Sequence, residues 1–435
     1  MRFGLLYELQ LPRPWDNNAE HRLIHEALAE AEIADELGFD YLWANEHHFL
    51  EEYSHSSAPE VFLAAAAART KRIHVGHAVV LSPPGYNPPA RVAERIATLD
   101  LIASGRLEWG TGQSASRTEI EGFNVDQATC RAQWAEATEQ TANMMAMEPY
   151  PGFEGQFFSM PTRNVIPKPY QKPHPPIWVA CSNRDTIHAA ARAGIGALAF
   201  AFVDPAEAGK WASEYYAIIK SDECVPIGHT VNANIAMATG FSVHHDEAEA
   251  KARGLEAFQY FGFALGHYYV YGQHKPGATH LWERFQIARS ALPDVAHSNG
   301  IGTPEQLRER MSQYQDAGVD QVIFIQQAGR NKHAHIIDSL RLFAAEVMPF
   351  LKQDQAERDR RKQDELAPYI EAALRRKTWM KPLAPEEIPI VQAYGKTVVA
   401  STQPGEKPAY RIGTAGGFEV PLEDLVEKKL KGEAA

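Results

Sequence analysis

The feature that most constrains this chain is a repeated alternation of a short apolar run with a longer segment whose apolar residues recur at helical spacing. Strands are expected at Phe3–Glu8, Tyr41–Ala44, Ile73–Leu81, Leu107–Gly110, Ile177–Ala180, Ala197–Phe202, Val231–Phe241 and Val322–Ile325. Helices are expected at His21–Leu37, Pro59–Arg69, Pro89–Ala103, Gln127–Met147, Arg184–Arg192, Pro205–Lys220, Asp246–Gly262, Thr303–Asp316 and His333–Val347. Strands that alternate with helices form βαβ units and a parallel sheet. Eight such units favour a closed (β/α)8 barrel over an open sheet. The absence of a GxGxxG run after the first strand, and of a Walker A motif, points the same way. Local punctuation agrees. Gly38 ends the first helix, Pro59 opens the second, and Thr303–Pro304 reads as an N-cap followed by proline in the first turn.

The rhythm breaks at about 149–176 and 266–302, which are Pro-, Gly- and aromatic-rich insertions. The barrel is expected to span 1–350, leaving 351–435 as a C-terminal extension. Lys352–Lys377 should be helical. Trp379–Ala435 carries two β-like runs, Thr397–Ala400 and Ala409–Ile412, and reads as an appendage packed on the barrel or a second subunit, or, in its final stretch, as a partly disordered tail. A formal charge of -12 makes nucleic acid and anionic membrane poor partners. Three cysteines, Cys130, Cys181 and Cys224, fit neither a disulfide framework nor a zinc site and suit a reducing, cytoplasmic compartment. The first residues read as a strand rather than a secretory signal, and no run of 18 apolar residues is present to span a membrane.

In such a barrel the chemistry sits where strands end at their C-terminal side. The polar residues there are Tyr7 and Glu8; Asn45, Glu46, His47 and His48; His77; Thr111, Gln113, Ser114 and Ser116; Cys181, Ser182, Asn183 and Arg184; and Gln326 and Gln327. Glu46–His47–His48 is the sharpest of these, because imidazole is the side chain suited to proton transfer near neutral pH. Neighbours on a strand face opposite ways, so one of the two histidines should face the mouth. Proton transfer competes here with a pair of hydrogen-bonded structural histidines. An extended Glu-His-His cannot aim three side chains at one ion, so no metal is expected. The lack of a convergent set of carboxylates argues against a hydrolase or a metal-dependent barrel.

The run Trp43–Ala44–Asn45–Glu46–His47–His48–Phe49 resembles the strand-two segment of bacterial luciferases and related flavin monooxygenases. Further pieces are similar to the same family in the same order: Arg106–Gln113 with Gly122–Asp126, Pro175–Ser182, Ile301–Gln306 and Val347–Leu351. The resemblance covers the whole expected barrel. It implies His47 as the active-site histidine, with Glu46 orienting a neighbouring imidazole or holding the loop. Ala78 and Val79 match a strand-three bulge against the flavin ring, where the family often has a non-proline cis peptide. Cys181, Ser182, Asn183 and the helix start at Arg184 match the flavin phosphate site, and a helix N-terminus suits a phosphate. Gln113 stands where luciferases carry a phosphate-binding arginine, and Arg184 either supplies the missing charge or is a solvated helix-start residue. Gly112 replaces the luciferase thiol, which weighs against light emission but not against oxygenation.

The implied activity is a flavin-dependent monooxygenase. It would use reduced FMN and O2, through a C4a-(hydro)peroxide, to oxygenate a small organic substrate. The resemblance further implies a separate NAD(P)H:flavin reductase as partner and a homodimer or homotetramer. It places a mobile lid at 266–302, to which His267–Tyr271 would add an aromatic lining or a satellite core. The alternatives are an F420-dependent hydride-transfer oxidoreductase of the same superfamily and a non-catalytic flavin-binding protein.

Overall fold

The structure, a computed structural model, describes residues 1–296, 299–391 and 430. Eight parallel strands close on themselves: β1 (Arg2–Tyr7), β2 (Tyr41–Ala44), β3 (His74–His77), β4 (Leu107–Gly112), β5 (Ile177–Cys181), β6 (Gly196–Ala199), β7 (Ile235–Val243) and β8 (Gln321–Gln327). Each pairs with its neighbour in chain order. Ile235 opposite Ala197 joins β7 to β6, and Arg2 opposite Gln321 joins β8 to β1. The expected (β/α)8 barrel is therefore present. No helix among the described residues is long and apolar enough to cross a membrane.

Alternation along the strands separates two cores. One face of each strand packs outward against the helices, with Phe3, Leu5, Leu42, Val75, Val322 and Phe324 fully buried there. The other face fills the barrel axis, where Trp43 and Trp178 meet edge to face with centroids 5.5 Å apart. Rings of that size need neighbours without side chains. A Cβ on Gly76 would lie 2.4 Å from the Trp43 ring, and one on Gly110 would lie 1.8 Å from the carbonyl oxygen of His77.

Several expected boundaries move, each for a local reason. The strand expected at Ile73–Leu81 is two pieces, His74–His77 and Val80–Leu81, broken at the cis peptide Ala78–Val79. The helix expected from Gln127 begins at Cys130, after a turn in which Asp126 accepts the Ala128 N–H. A short helix, Arg117–Gly122, lies between β4 and the next helix, where no element is expected. The first insertion carries a two-stranded hairpin, Phe153–Glu154 with Ser159–Met160. The second is more ordered than its composition suggests. It holds a π-helical turn at His267–Tyr271, a helix at Leu281–Ala288 and a strand, Gly300–Gly302, added to β7.

The chain divides into two units, Met1–Ala384 and Pro385–Ala435. Within the first, helix Gln355–Arg376 lies across the N-terminal ends of the strands. Its Asp359 pairs with Arg2 at 2.7 Å, and its Lys362 donates to Asp320 at 2.6 Å and to Asn234 at 2.7 Å. Just beyond it, Lys377 donates to the carbonyls of Pro226 and Ile227. In the second unit a 3-10 turn spans Pro385–Glu387. The β-like runs 397–400 and 409–412 lie outside the described residues.

Candidate active site

At the C-terminal mouth of the barrel, β2 ends at Ala44 and the chain leaves the sheet before the two histidines. They are therefore loop residues and diverge. The His47 ring sits between two carboxyl groups. Its Nδ1 lies 3.1 Å from Glu119 Oε1, and its Nε2 lies 3.6 Å from Glu8 Oε2. His48 turns the other way, with Nε2 3.1 Å from Glu46 Oε1. Glu46 orients an imidazole, but that of His48 rather than His47. It also holds the loop, accepting from the Leu81 N–H at 2.8 Å and the Asn87 amide at 2.9 Å.

The sequence offered no convergent carboxylates, and the structure gathers three: Glu8, Glu46 and Glu119. Glu8 follows β1 directly. Glu119 comes from the short helix after β4, a helix the sequence reading did not place. The signal was Ser116–Arg117–Thr118–Glu119, the spacing of a helix-opening box. Here the glutamate does not fold back on its own N-cap. It accepts from the Ser114 hydroxyl at 2.5 Å, the His48 N–H at 2.8 Å and His47.

The electrostatics of the three central groups differ. Burial opposes a charge on His47, but Glu119 and Glu8 outweigh it and raise the imidazole to about 9. Burial would raise Glu119, yet His47 and the Ser114 and His48 donors bring it below the usual carboxylate range. Glu8 is 2% exposed, and burial pushes it up to about 7 despite the nearby imidazole. Its Oε1 accepts from Asn45 at 2.6 Å and Tyr53 at 3.2 Å, while Oε2 has no hydrogen-bond partner.

Aromatic rings roof this cluster. Tyr53 lies tilted and Tyr269 edge-on to the His47 ring, with centroids 5.6 and 6.4 Å away, and the Tyr269 hydroxyl is 3.5 Å from His47 Nδ1. Of the His267–Tyr271 run, Tyr269 reaches the imidazole, Tyr268 is buried beside Tyr53, and Val270 and Tyr271 are exposed. The insertion is fastened to the histidine loop by two adjacent carboxylates. Glu52, fully buried, accepts from the N–H groups of Leu281, Trp282 and Arg13. Glu51 accepts from the Gly277 N–H and the Arg13 guanidinium, and its carbonyl takes the Tyr268 hydroxyl.

The remaining expected residues form a separate edge of the mouth. The Ala78–Val79 peptide is cis, and Val79 O accepts the Glu46 N–H at 3.2 Å. A Cβ on Gly112 would come within 2.6 Å of the Val79 side chain, so the bulge leaves no room there for a cysteine. Gln113 is exposed. After β5, Cys181 is buried and its thiol donates to the Thr186 carbonyl; burial pushes the thiol up to about 12. Ser182, Asn183 and Arg184 are exposed. Asn183 caps the helix that starts at Arg184, accepting from the Thr186 N–H at 3.0 Å, and the Thr186 hydroxyl takes the Ser182 and Asn183 N–H groups in return. The Arg184 guanidinium is paired with Glu214, which His188 also contacts.

Comparison with known proteins follows the same outline. The luciferase-like monooxygenase family model matches residues 1–321. The oxygenase component of the flavin-dependent trigonelline monooxygenase from Acinetobacter baylyi is 25% identical over 379 residues, which span 82% of this chain and 98% of that protein. The solved structure of monooxygenase RslO1 from Streptomyces bottropensis has a TM-score of 0.65 at 28% identity, covering 80% of this chain and 99% of its own. The oxygenating constituent of 3,6-diketocamphane monooxygenase from Pseudomonas putida, solved with FMN, shares the fold with a TM-score of 0.62 at 19% identity, covering 80% and 98%.

Proposed function

The chain belongs to the luciferase-like monooxygenase family, and on that premise we propose that it is a flavin-dependent oxygenase acting on a small organic molecule, with reduced FMN supplied by a separate NAD(P)H:flavin reductase. The observation that carries this reading is His47, clamped between Glu119 and Glu8 under an aromatic roof beside the Ala78–Val79 bulge. The residues at the mouth fit a flavin. Ala78 and Val79 offer an apolar shelf. Asn45 Oδ1 is a buried acceptor without a protein partner. Gln113, Ser182, Asn183 and Arg184 stand exposed around a capped helix start. They would hold the phosphate end, with Cys181 acting through its backbone and through the packing of its thiol.

Reduced flavin, when bound, supplies the electrons that activate O2. The chain's own residues do the rest. Glu119 accepts from Nδ1, which fixes the ring orientation and keeps the imidazole cationic, so that His47 is a proton donor at neutral pH. Glu46 fixes His48 and the loop. Tyr53, Tyr268 and Tyr269 cover the cluster and keep water away from it. For Arg184, binding phosphate means leaving Glu214, an exposed pair of the kind worth little in water.

Two measurements test this. Oxygen uptake and product formation with FMN, NADH and a flavin reductase should fall at least tenfold in His47→Ala, since general acid catalysis is worth about 100-fold or more; full activity would remove His47 from the chemistry. Titration with FMN and with deazaflavin, followed by absorbance, should show binding of FMN that Arg184→Ala weakens. Preference for the deazaflavin would favour hydride transfer instead. FMN binding with no oxygenated product over a broad substrate screen would favour a flavin-binding protein.

A further inference from the structure

Two carboxyl groups flank one imidazole, and their surroundings are not alike. Glu119 is built as an anion: three donors converge on its two oxygens, from Ser114, His48 and His47. Glu8 is built differently. Asn45 and Tyr53 both reach Oε1 and fix the side chain, leaving Oε2 buried, without a hydrogen-bond partner, and turned toward His47 Nε2 at 3.6 Å. A carboxylate out of water is most easily kept ionised when donors reach both of its oxygens. Glu8 has them on one.

We propose that Glu8 is a proton-storing partner of His47, carrying a proton on Oε2 that it gives up and recovers as the imidazole exchanges its own. In the exchange His47 releases the Nε2 proton to the reacting molecule. The O–H bond of Glu8 then breaks, its electron pair stays on Oε2, the proton passes to Nε2, and Oε2 takes up a proton from solvent before the next exchange. The inference rests on reading this mouth as the reaction site. The groups facing the pair are Glu119 and Ser114 from the segment after β4, Glu46, Asn45 and Tyr53 from the histidine loop, and Tyr269 from the insertion. Of these, Glu119 holds its charge and the tyrosines stay protonated, being shifted upward by burial. Glu8, at about 7, is therefore the member that titrates near neutrality, while His47, at about 9, stays cationic through that range. This reverses the usual division of labour, in which the histidine is the neutral-pH switch.

The test needs no flavin, so its failure is distinct from a failure to bind FMN. Histidine ring signals of the 13C,15N-labelled full chain are followed against pH, with His47 assigned by its loss in His47→Gln. The wild type should show two inflections in the His47 signals, one near pH 7 and one near pH 9. Glu8→Gln should lose the first and shift the second downward. Tyr53→Phe, which removes a donor from the carboxylate but no charge, should move the first inflection upward and keeps the proposal testable if Glu8→Gln fails to fold. A single inflection in the wild type, a neutral inflection that survives Glu8→Gln, or one unmoved by Tyr53→Phe would overturn it.

Discussion

At the scale of single residues, the site is a contest between burial and charge, and Glu119 decides it. His47 has a folded value near 9 against an ordinary 6.5. A base raised in this way adds stability in full below pH 6.5 and loses it as pH climbs to 9. Glu119 is lowered, so its share is present above its ordinary range and lost in acid. The pair should therefore be strongest at pH 5–6.5. Glu119→Gln is expected to cost about 1.5–3 kcal/mol there, by analogy with hydrogen bonds to charged groups, and progressively less toward pH 9. Urea unfolding of both proteins across pH 5–9 checks this; a difference that does not change with pH would refute it. His47 and Glu46 were legible from residue type and strand-end position. Glu8 was legible only as a polar strand end, because nothing in Tyr7–Glu8–Leu9 says which oxygen lacks a partner. Glu119 was hidden because 72 residues separate it from His47.

At the scale of elements, hydrophobic period and turn residues carried most of the information. Gly38, at φ 85°, and the Thr303 N-cap followed by Pro304 are where those signals put them. What sequence period could not show is how wide the barrel axis must be. Trp43 and Trp178 fill it because Gly76 and Gly110 let strands and rings approach closely. Trp43→Ala should cost about 3–5 kcal/mol. Gly110→Ala forces a methyl group into the His77 carbonyl, a backbone atom that cannot rotate away, and should cost at or beyond the upper end of the about 1–3 kcal/mol overpacking range. Denaturant midpoints at one pH measure both; a Gly110→Ala protein as stable as the parent would contradict the close approach. The insertion at 266–302 read as irregular because its helices lean on residues remote in sequence. Leu281–Ala288, for example, has its first N–H groups taken by Glu52.

At the scale of the whole molecule, opposite ends of the barrel do different work. The mouth gathers the titratable cluster, while helix Gln355–Arg376 covers the base through Lys362–Asp320 and Arg2–Asp359. Ending the chain after Lys352 would leave the Asp320 carboxylate without its lysine and uncover the core surface that Leu366 and Ala373 of the lost helix bury. The thermal midpoint should drop by several degrees, and FMN affinity, where binding is retained, should change by less than about twofold, since the mouth lies at the other end. Differential scanning fluorimetry and the FMN titration separate the two effects; a parallel loss of affinity would mean the ends are coupled. The order of strands and helices along the chain made the barrel legible. The helix over its base was legible as a helix but not by its place, because charge-rich composition suits any exposed surface.

The double carboxylate at Glu51 and Glu52 has a practical consequence for anyone who would redesign this enzyme. Substrate range in such a barrel invites loop grafting, and the obvious piece to exchange is 266–302. That piece is tied through Gly277, Leu281 and Trp282 to the same few residues that carry His47. A transplanted loop without amide hydrogens at the Leu281 and Trp282 points would leave the fully buried Glu52 with the Arg13 N–H alone, and one without the Gly277 amide would loosen Glu51, so that the histidine loop would drift. The graft therefore has to be judged first by whether it rebuilds that clasp, and only then by the pocket it creates.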